Sequence, residues 1–246
     1  MTVEAQYLSR DAFEERIAKC PVAILPLGAT EQHGHHLPLG TDTILANFFA
    51  KRIAEATGAT VLPPMPYGYS WVWRDDAGSV TLDQKAMEDV ICNVAESMAR
   101  AGVKHLVLVN GHEANSATMK YASRRMWDHP DIDVWRLFYP NLSEELKAHC
   151  DSPTWHGIVH ACEFETSLML AVAPETVDMD KAVAEYPERD PAYFYGGRPM
   201  GELSESGVFG DATKATVEKG EAMVDVFTDH MVDMVRGICA RVDAGR

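Results

Sequence analysis

Apolar residues recur along this chain at two spacings. Continuous runs at residues 22–27, 60–62, 105–109 and 133–138 have the length and composition of strands. The run at 105–109 is apolar after one polar residue, which predicts a central strand covered on both faces. Longer stretches carry apolar residues at helical intervals. Phe13 and Ile17 lie one turn apart behind a Ser9/Asp11 start. Ile44, Leu45, Phe48, Phe49 and Ile53 follow Thr41 and Asp42 and stop near Gly58, while Met87, Val90, Ile91, Val94 and Met98 follow a capping Asp83 and stop near Gly102. Further helices are predicted through Met119, Ala122 and Met126, briefly from Ser143, across the second half of 155–170, and from Val217 through Met223, Phe227 and Met234. Strand, loop and helix thus repeat as in an open α/β fold, which places functional groups at the carboxyl ends of parallel strands.

Composition narrows the partners. With 246 residues, 46% of them hydrophobic, and no linker-like stretch, the chain reads as a single domain over 1–246. A net charge of -15 argues against nucleic acid or an anionic membrane as partner. No apolar run reaches membrane-spanning length, and the N-terminal Met-Thr-Val-Glu-Ala lacks the basic and apolar regions of a signal peptide. Cys20, Cys92, Cys150, Cys162 and Cys239 are scattered without Cys-x-x-Cys spacing, as expected for reduced thiols in the cytoplasm.

The chemistry concentrates where the first strand ends. Gly28 breaks the run, and Glu31, His33, His35, His36 and Asp42 follow within a short loop. Glu31 and His33 are two apart, so an extended segment points both the same way, and Gly34, Pro38 and Gly40 let the loop return toward Asp42. Imidazoles mixed with carboxylates suit zinc or manganese, and one carboxylate shared between two ions would suit a binuclear hydrolase. His112, at the end of the 105–109 strand, is a further ligand candidate; Asn110 and Asn115 read as turn and cap residues. The aromatic segment 67–78 either lines a pocket or covers the core. His160 and Glu163, three apart at the start of a predicted helix, would share one face. Residues 182–205, rich in Pro, Gly and Tyr, read as an excursion that serves as an oligomer contact.

Taken in order, these motifs resemble one family. Glu31-x-His33-Gly-x-His36-Leu-Pro-Leu-x-Thr-Asp42, Asn110-Gly111-His112, His160-Ala-x-Glu163-x-Glu165-Thr-Ser and Gly207-Val-x-Gly210-Asp211 are similar to the creatininase (creatinine amidohydrolase) family. The resemblance implies a three-layer α/β/α fold with a mainly parallel sheet, two zinc or manganese ions, and a homohexamer. It implies that Glu31 and His112 hold one ion, that His33 holds the other, and that Asp42 bridges them. His160 would sit over the substrate as proton carrier or binder, and His36 would orient a ligand from behind.

The departures bear on substrate. Creatinine-type members carry a ligating carboxylate two residues after the Asn-Gly-His histidine, where this chain has Ala114, and Glu163 is the expected replacement because it opens an apolar helix. Their Tyr-Glu after that histidine is Glu113-Ala114 here, and their tryptophan four residues before the late histidine is His156. Ser70, Trp73, Glu113 and Trp155 are the expected substrate contacts. The resulting expectation is a metal-dependent hydrolase, not a creatininase proper, in which an activated water attacks the carbonyl of a small, polar, cyclic substrate. Cleavage of a C–N amide is favoured; C–C cleavage in a cyclic polyol ketone and a catalytically silent metal-binding protein stay open.

Overall fold

The sheet is built from the runs named above. A computed structural model describes residues 2–243; Met1 of the N-terminal stretch and the last three residues of the expected domain lie outside them. In chain order the elements are α1 (Arg10–Lys19), β1 (Val22–Leu27), α2 (Thr41–Thr57), β2 (Thr60–Val61), α3 (Gln84–Arg100), β3 (His105–Asn110), α4 (Asn115–Arg125), β4 (Asp133–Leu137), α5 (Leu142–His149), α6 (Glu163–Val172), β5 (Ala184–Glu185), α7 (Pro191–Phe194), β6 (Gly210–Asp211) and α8 (Val217–Asp243). Strands β1 to β4 form a parallel sheet in the order β2-β1-β3-β4, with Val22 opposite His105 and Leu27 opposite Asn110. Both central strands are buried at every position.

Alternation along these strands separates the two helical layers. Val22, Ile24, Val107 and Val109 point into a core shared with α2, α6 and α8, whereas Ala23, Leu25, Leu106 and Leu108 point into one shared with α1, α3 and α4. The result is a three-layer α/β/α fold with a mainly parallel sheet. Ser9 caps α1 by accepting from the Ala12 N–H, and Asp83 caps α3 by accepting from the Lys85 N–H. Among the described residues no helix is long and apolar enough to cross a membrane.

Two glycines bring the loops after β1 and β3 against the first turn of α2. A Cβ on Gly28 would fall 2.4 Å from the Thr43 Cα, and one on Gly111 would fall 2.1 Å from the Asp42 carbonyl oxygen. Only glycine tolerates such approaches, and they fix Asp42 between the two functional loops.

The 182–205 excursion is tied to its own chain. β5 pairs antiparallel with β6, and Tyr193, Phe194, Met200 and Leu203 pack with Trp73, Trp155 and Phe209 in a third, smaller core. Tyr186 and Tyr195 remain exposed.

Candidate metal centre

Six ionisable side chains converge beyond the carboxyl ends of β1 and β3. Glu31, His33, Asp42, His112, His160 and Glu165 are each at most 8% exposed. Their ligand atoms fall into three overlapping groups that could hold a metal ion: Glu31 with Asp42 and His112, His33 with Asp42 and Glu165, and Glu31 with His33 and His160. Asp42 belongs to the first two. Its Oδ1 lies 3.2 Å from His33 Nε2, and its Oδ2 lies 3.2 Å from His112 Nδ1.

Backbone carbonyls set the imidazole orientations. His112 Nε2 donates to the Tyr69 carbonyl at 3.0 Å, which turns Nδ1 inward, 3.3 Å from Glu31 Oε1. His33 Nδ1 donates to the Glu31 carbonyl at 3.2 Å, which turns Nε2 inward. A carbonyl holding the outer ring nitrogen is the usual way a ligating histidine is aimed. Both Glu31 carboxylate oxygens, His33 Nε2 and Asp42 Oδ2 are buried without a hydrogen bond of good geometry. Buried polar atoms of this kind are costly unless something satisfies them, and a mixed oxygen and nitrogen donor set suits zinc or manganese. The residues present therefore fit divalent cations.

The charges show the same strain. Burial opposes a proton charge on His33, yet Asp42, Glu165 and Glu31 together raise it to about 10. Burial likewise opposes His112, but Glu31 and Asp42 lift it to about 9. Burial raises Glu31 and Asp42 adds to it, while the neighbouring His112 and His33 ease the charge. Burial and the like charges of Asp42 and Glu31 push Glu165 up to about 7. His160 is held well below the ordinary range by burial and by the neighbouring His33.

The structure relocates several expected residues. Glu163, expected as a metal ligand, lies outside all three groups. Its carboxylate pairs with Lys219 and accepts from the Asp151 and Ser152 N–H groups at 3.0 and 2.7 Å. Two residues further along α6 is a rotation of about 200°, so Glu165 faces the opposite way, into the cluster. The chain bends sharply before α6: Ala161 has φ 49, an uncommon conformation for a non-glycine residue, and α6 begins only at Glu163. His160 and Glu163 consequently do not share a helical face. His160 instead bridges to Phe209, while the Ala161 N–H donates to Glu165 Oε2 at 2.6 Å.

Trp155, expected at the substrate, stands behind the wall. Its Nε1 donates to the Pro187 carbonyl, and its ring packs edge-on against Phe209. Ser70 is buried beside Glu31 and does not line the cavity. Trp73 does both things left open for the aromatic segment, since it is buried in the small core and stacks on His160 at 4.3 Å while lining the cavity. Glu113 also lines the cavity. His36 sits outside the cluster with its Nε2 2.9 Å from Thr166 Oγ1, next to Glu165, and His35 is exposed. Asn110 and Asn115 bind loops together: Asn110 Oδ1 accepts from the His112 N–H, and Asn115 bridges Tyr69 and Gly28.

Gln32 was not anticipated. Its Oε1 accepts from the Gly34 N–H, and its Nε2 lies 3.1 Å from the Gly207 carbonyl and 2.9 Å from His160 Nε2. Gln32 thus meets the outer ring nitrogen of His160, whose Nδ1 faces Glu31.

Comparison with known proteins decides the family. The sequence pattern of creatininase, described as creatinine amidohydrolase, matches residues 6–235. The chain belongs to the creatininase family. It is a metal-dependent hydrolase of that family. It is similar to the creatinine amidohydrolase of Pseudomonas putida, 31% identical over 243 residues that cover 91% of this chain and 92% of that protein. It is also similar to a 3-dehydro-scyllo-inosose hydrolase of Thermotoga maritima, 29% identical over 266 residues, covering 98% of this chain and 85% of that protein. Among solved structures, a mutant creatininase of Zn-Zn type matches with a TM-score of 0.83 and 32% identity, covering 96% of this chain and 98% of that one.

Two outcomes follow from this creatininase-family geometry. Glu165→Gln should lower the metal bound per chain by about one ion by elemental analysis, whereas Glu163→Gln should leave the bound metal unchanged and lose thermal stability with its Lys219 pair. The reverse pattern would restore Glu163 as ligand.

The second concerns pH. The folded values of His33 and His112 lie above the ordinary 6.5, so in metal-free protein their stabilisation is full below about 6.5 and is lost as pH rises through about 9 and then about 10. A metal must displace the same protons, so its affinity rises over that window. Calorimetric scans should show the metal-free melting temperature falling from pH 6.5 to 10 while the gain on adding manganese grows. A manganese gain that is constant across the window would contradict this assignment.

Proposed function

We propose that the chain hydrolyses the C–N bond of a small cyclic amide at a two-ion site. Glu31, Asp42 and His112 would hold one zinc or manganese ion, and His33, Asp42 and Glu165 the other. The observation that carries the reading is the pair of buried ligand groups sharing Asp42 at the floor of a cavity of about 360 Å³. When bound, such ions supply Lewis-acid polarisation of the carbonyl and a water nucleophile at neutral pH.

The chain's own residues do the rest. Trp73 and the side chains of Phe138, Tyr139 and Phe164 wall the cavity, exclude water and orient a flat substrate over the floor. His160, neutral because of its burial, presents Nδ1 toward Glu31 at 3.7 Å and is the group that carries a proton to the departing nitrogen. Gln32 and the Trp73 ring hold its imidazole in place. Opening of a cyclic polyol ketone is the second reading. It draws support from the similarity to the Thermotoga hydrolase, but the apolar walls offer few partners for a ring of hydroxyls.

The proposal extends to context. A cytoplasmic homo-oligomer, a hexamer by family resemblance, with no nucleic-acid or membrane partner, fits the charge of -15 and the exposed Tyr186 and Tyr195 of the excursion. A monomer by light scattering would count against the assembly.

A panel of cyclic amides, cyclic imides, formamides, keto-inositols and creatinine tests the reaction. Turnover of a cyclic amide should be abolished by chelator and restored by zinc or manganese, and His160→Ala should lower kcat by about 10²–10⁴. Creatinine should be turned over negligibly. Turnover confined to keto-inositols would select the second reading, and efficient formation of creatine would overturn the substrate assignment.

A further inference from the structure

The cavity has a polarity along its depth. Its floor is Glu31, His112, His160 and Glu165, its walls are mainly aromatic and aliphatic, and neither lysine nor arginine is among its lining residues. Glu113, adjacent to His112 but exposed where His112 is buried, supplies a carboxylate on the solvent side. Among the described residues no cation pairs with it. Tyr193 of the excursion lines the same cavity, and burial and then Glu113 raise its phenol.

What this polarity selects rests on the two-ion reading. Two divalent cations would offset the three buried carboxylates Glu31, Asp42 and Glu165 and present Lewis-acid positions to a carbonyl oxygen, while the rim at Glu113 stays electronegative. A substrate settles best when its carbonyl oxygen points down and its positive end points out. Its middle must match apolar walls that give a charge no partner. An anionic tail, by contrast, would meet Glu113 and would find no lining cation.

We propose that the substrate class is a small amide with an apolar body and a protonated amine on the side opposite the scissile carbonyl, selected by Glu113. The choice of substrate thus turns on a position that differs from the creatinine-type sequence. Phosphorylated and carboxylate-tailed amides are disfavoured by the same carboxylate.

Three para-substituted benzohydroxamates, bearing aminomethyl, hydroxymethyl or carboxylate groups, share one body and one metal-binding head. Their binding to zinc-loaded protein, read by calorimetry, separates the tail preference from turnover. An exposed charge pair changes affinity several-fold, and attraction replaced by repulsion roughly doubles that free energy, so the aminomethyl compound should bind roughly tenfold tighter than the carboxylate. Glu113→Gln should flatten the series, and Glu113→Lys should reverse it. Equal or tighter binding of the carboxylate by the unaltered protein would overturn the proposal, as would a series unchanged in Glu113→Gln. Failure of all three to bind, with zinc present, would instead remove the two-ion reading on which the proposal stands.

Discussion

Glu31, Asp42 and Glu165 are buried together with imidazoles as their principal charged neighbours. Taking one carboxylate out of water costs several kcal/mol even after relaxation, and placing like charges side by side adds to it. Protons on His33 and His112 offset part of that cost in metal-free protein, which is why both are raised so far. Divalent cations offset it more fully. The need to compensate this buried charge organises the surrounding structure: the carbonyls that aim the imidazoles, the glycines that admit Asp42, and the bend at Ala161 that delivers both His160 and Glu165.

The fold supplies the rigidity this cluster requires. β1 and β3 are central strands, covered on both faces, and their register fixes the two loops relative to each other. Asp42 opens α2, where the helix dipole favours a negative charge. Around this frame the less regular segments shape the cavity. Trp73 lies under His160, and the excursion brings Tyr193 and Met200 to its wall. Similarity to proteins with different named substrates fits such a division, since the segments that form the walls can change while the floor is held by the sheet.

Much of this is legible in the sequence, because most of the relevant signals are local. The apolar runs mark β1 and β3 at their observed starts, and Gly58 and Asp83 mark the helix boundaries to within a residue or two. Period-two spacing by itself groups Glu31 with His33. Glu163 is misplaced by sequence because composition says that an apolar helix opens with two carboxylates but does not say which faces the core. That choice depends on the left-handed Ala161 and on Lys219, 56 residues further on. Trp155 is misplaced for a similar reason, since its partners Phe209 and Pro187 are remote in sequence. Gln32 carries no signal of its own, because one amide in a loop looks solvated until the Gly207 carbonyl and His160 are brought to it.

The central claim is that one buried cluster holds two cations through a shared Asp42. Anomalous diffraction at the zinc edge from crystals of zinc-loaded protein tests it most directly. Two peaks are predicted, one among Glu31, Asp42 and His112 and one among His33, Asp42 and Glu165, with an Asp42 oxygen nearest each. A single peak, or a peak ligated by Glu163, would contradict it.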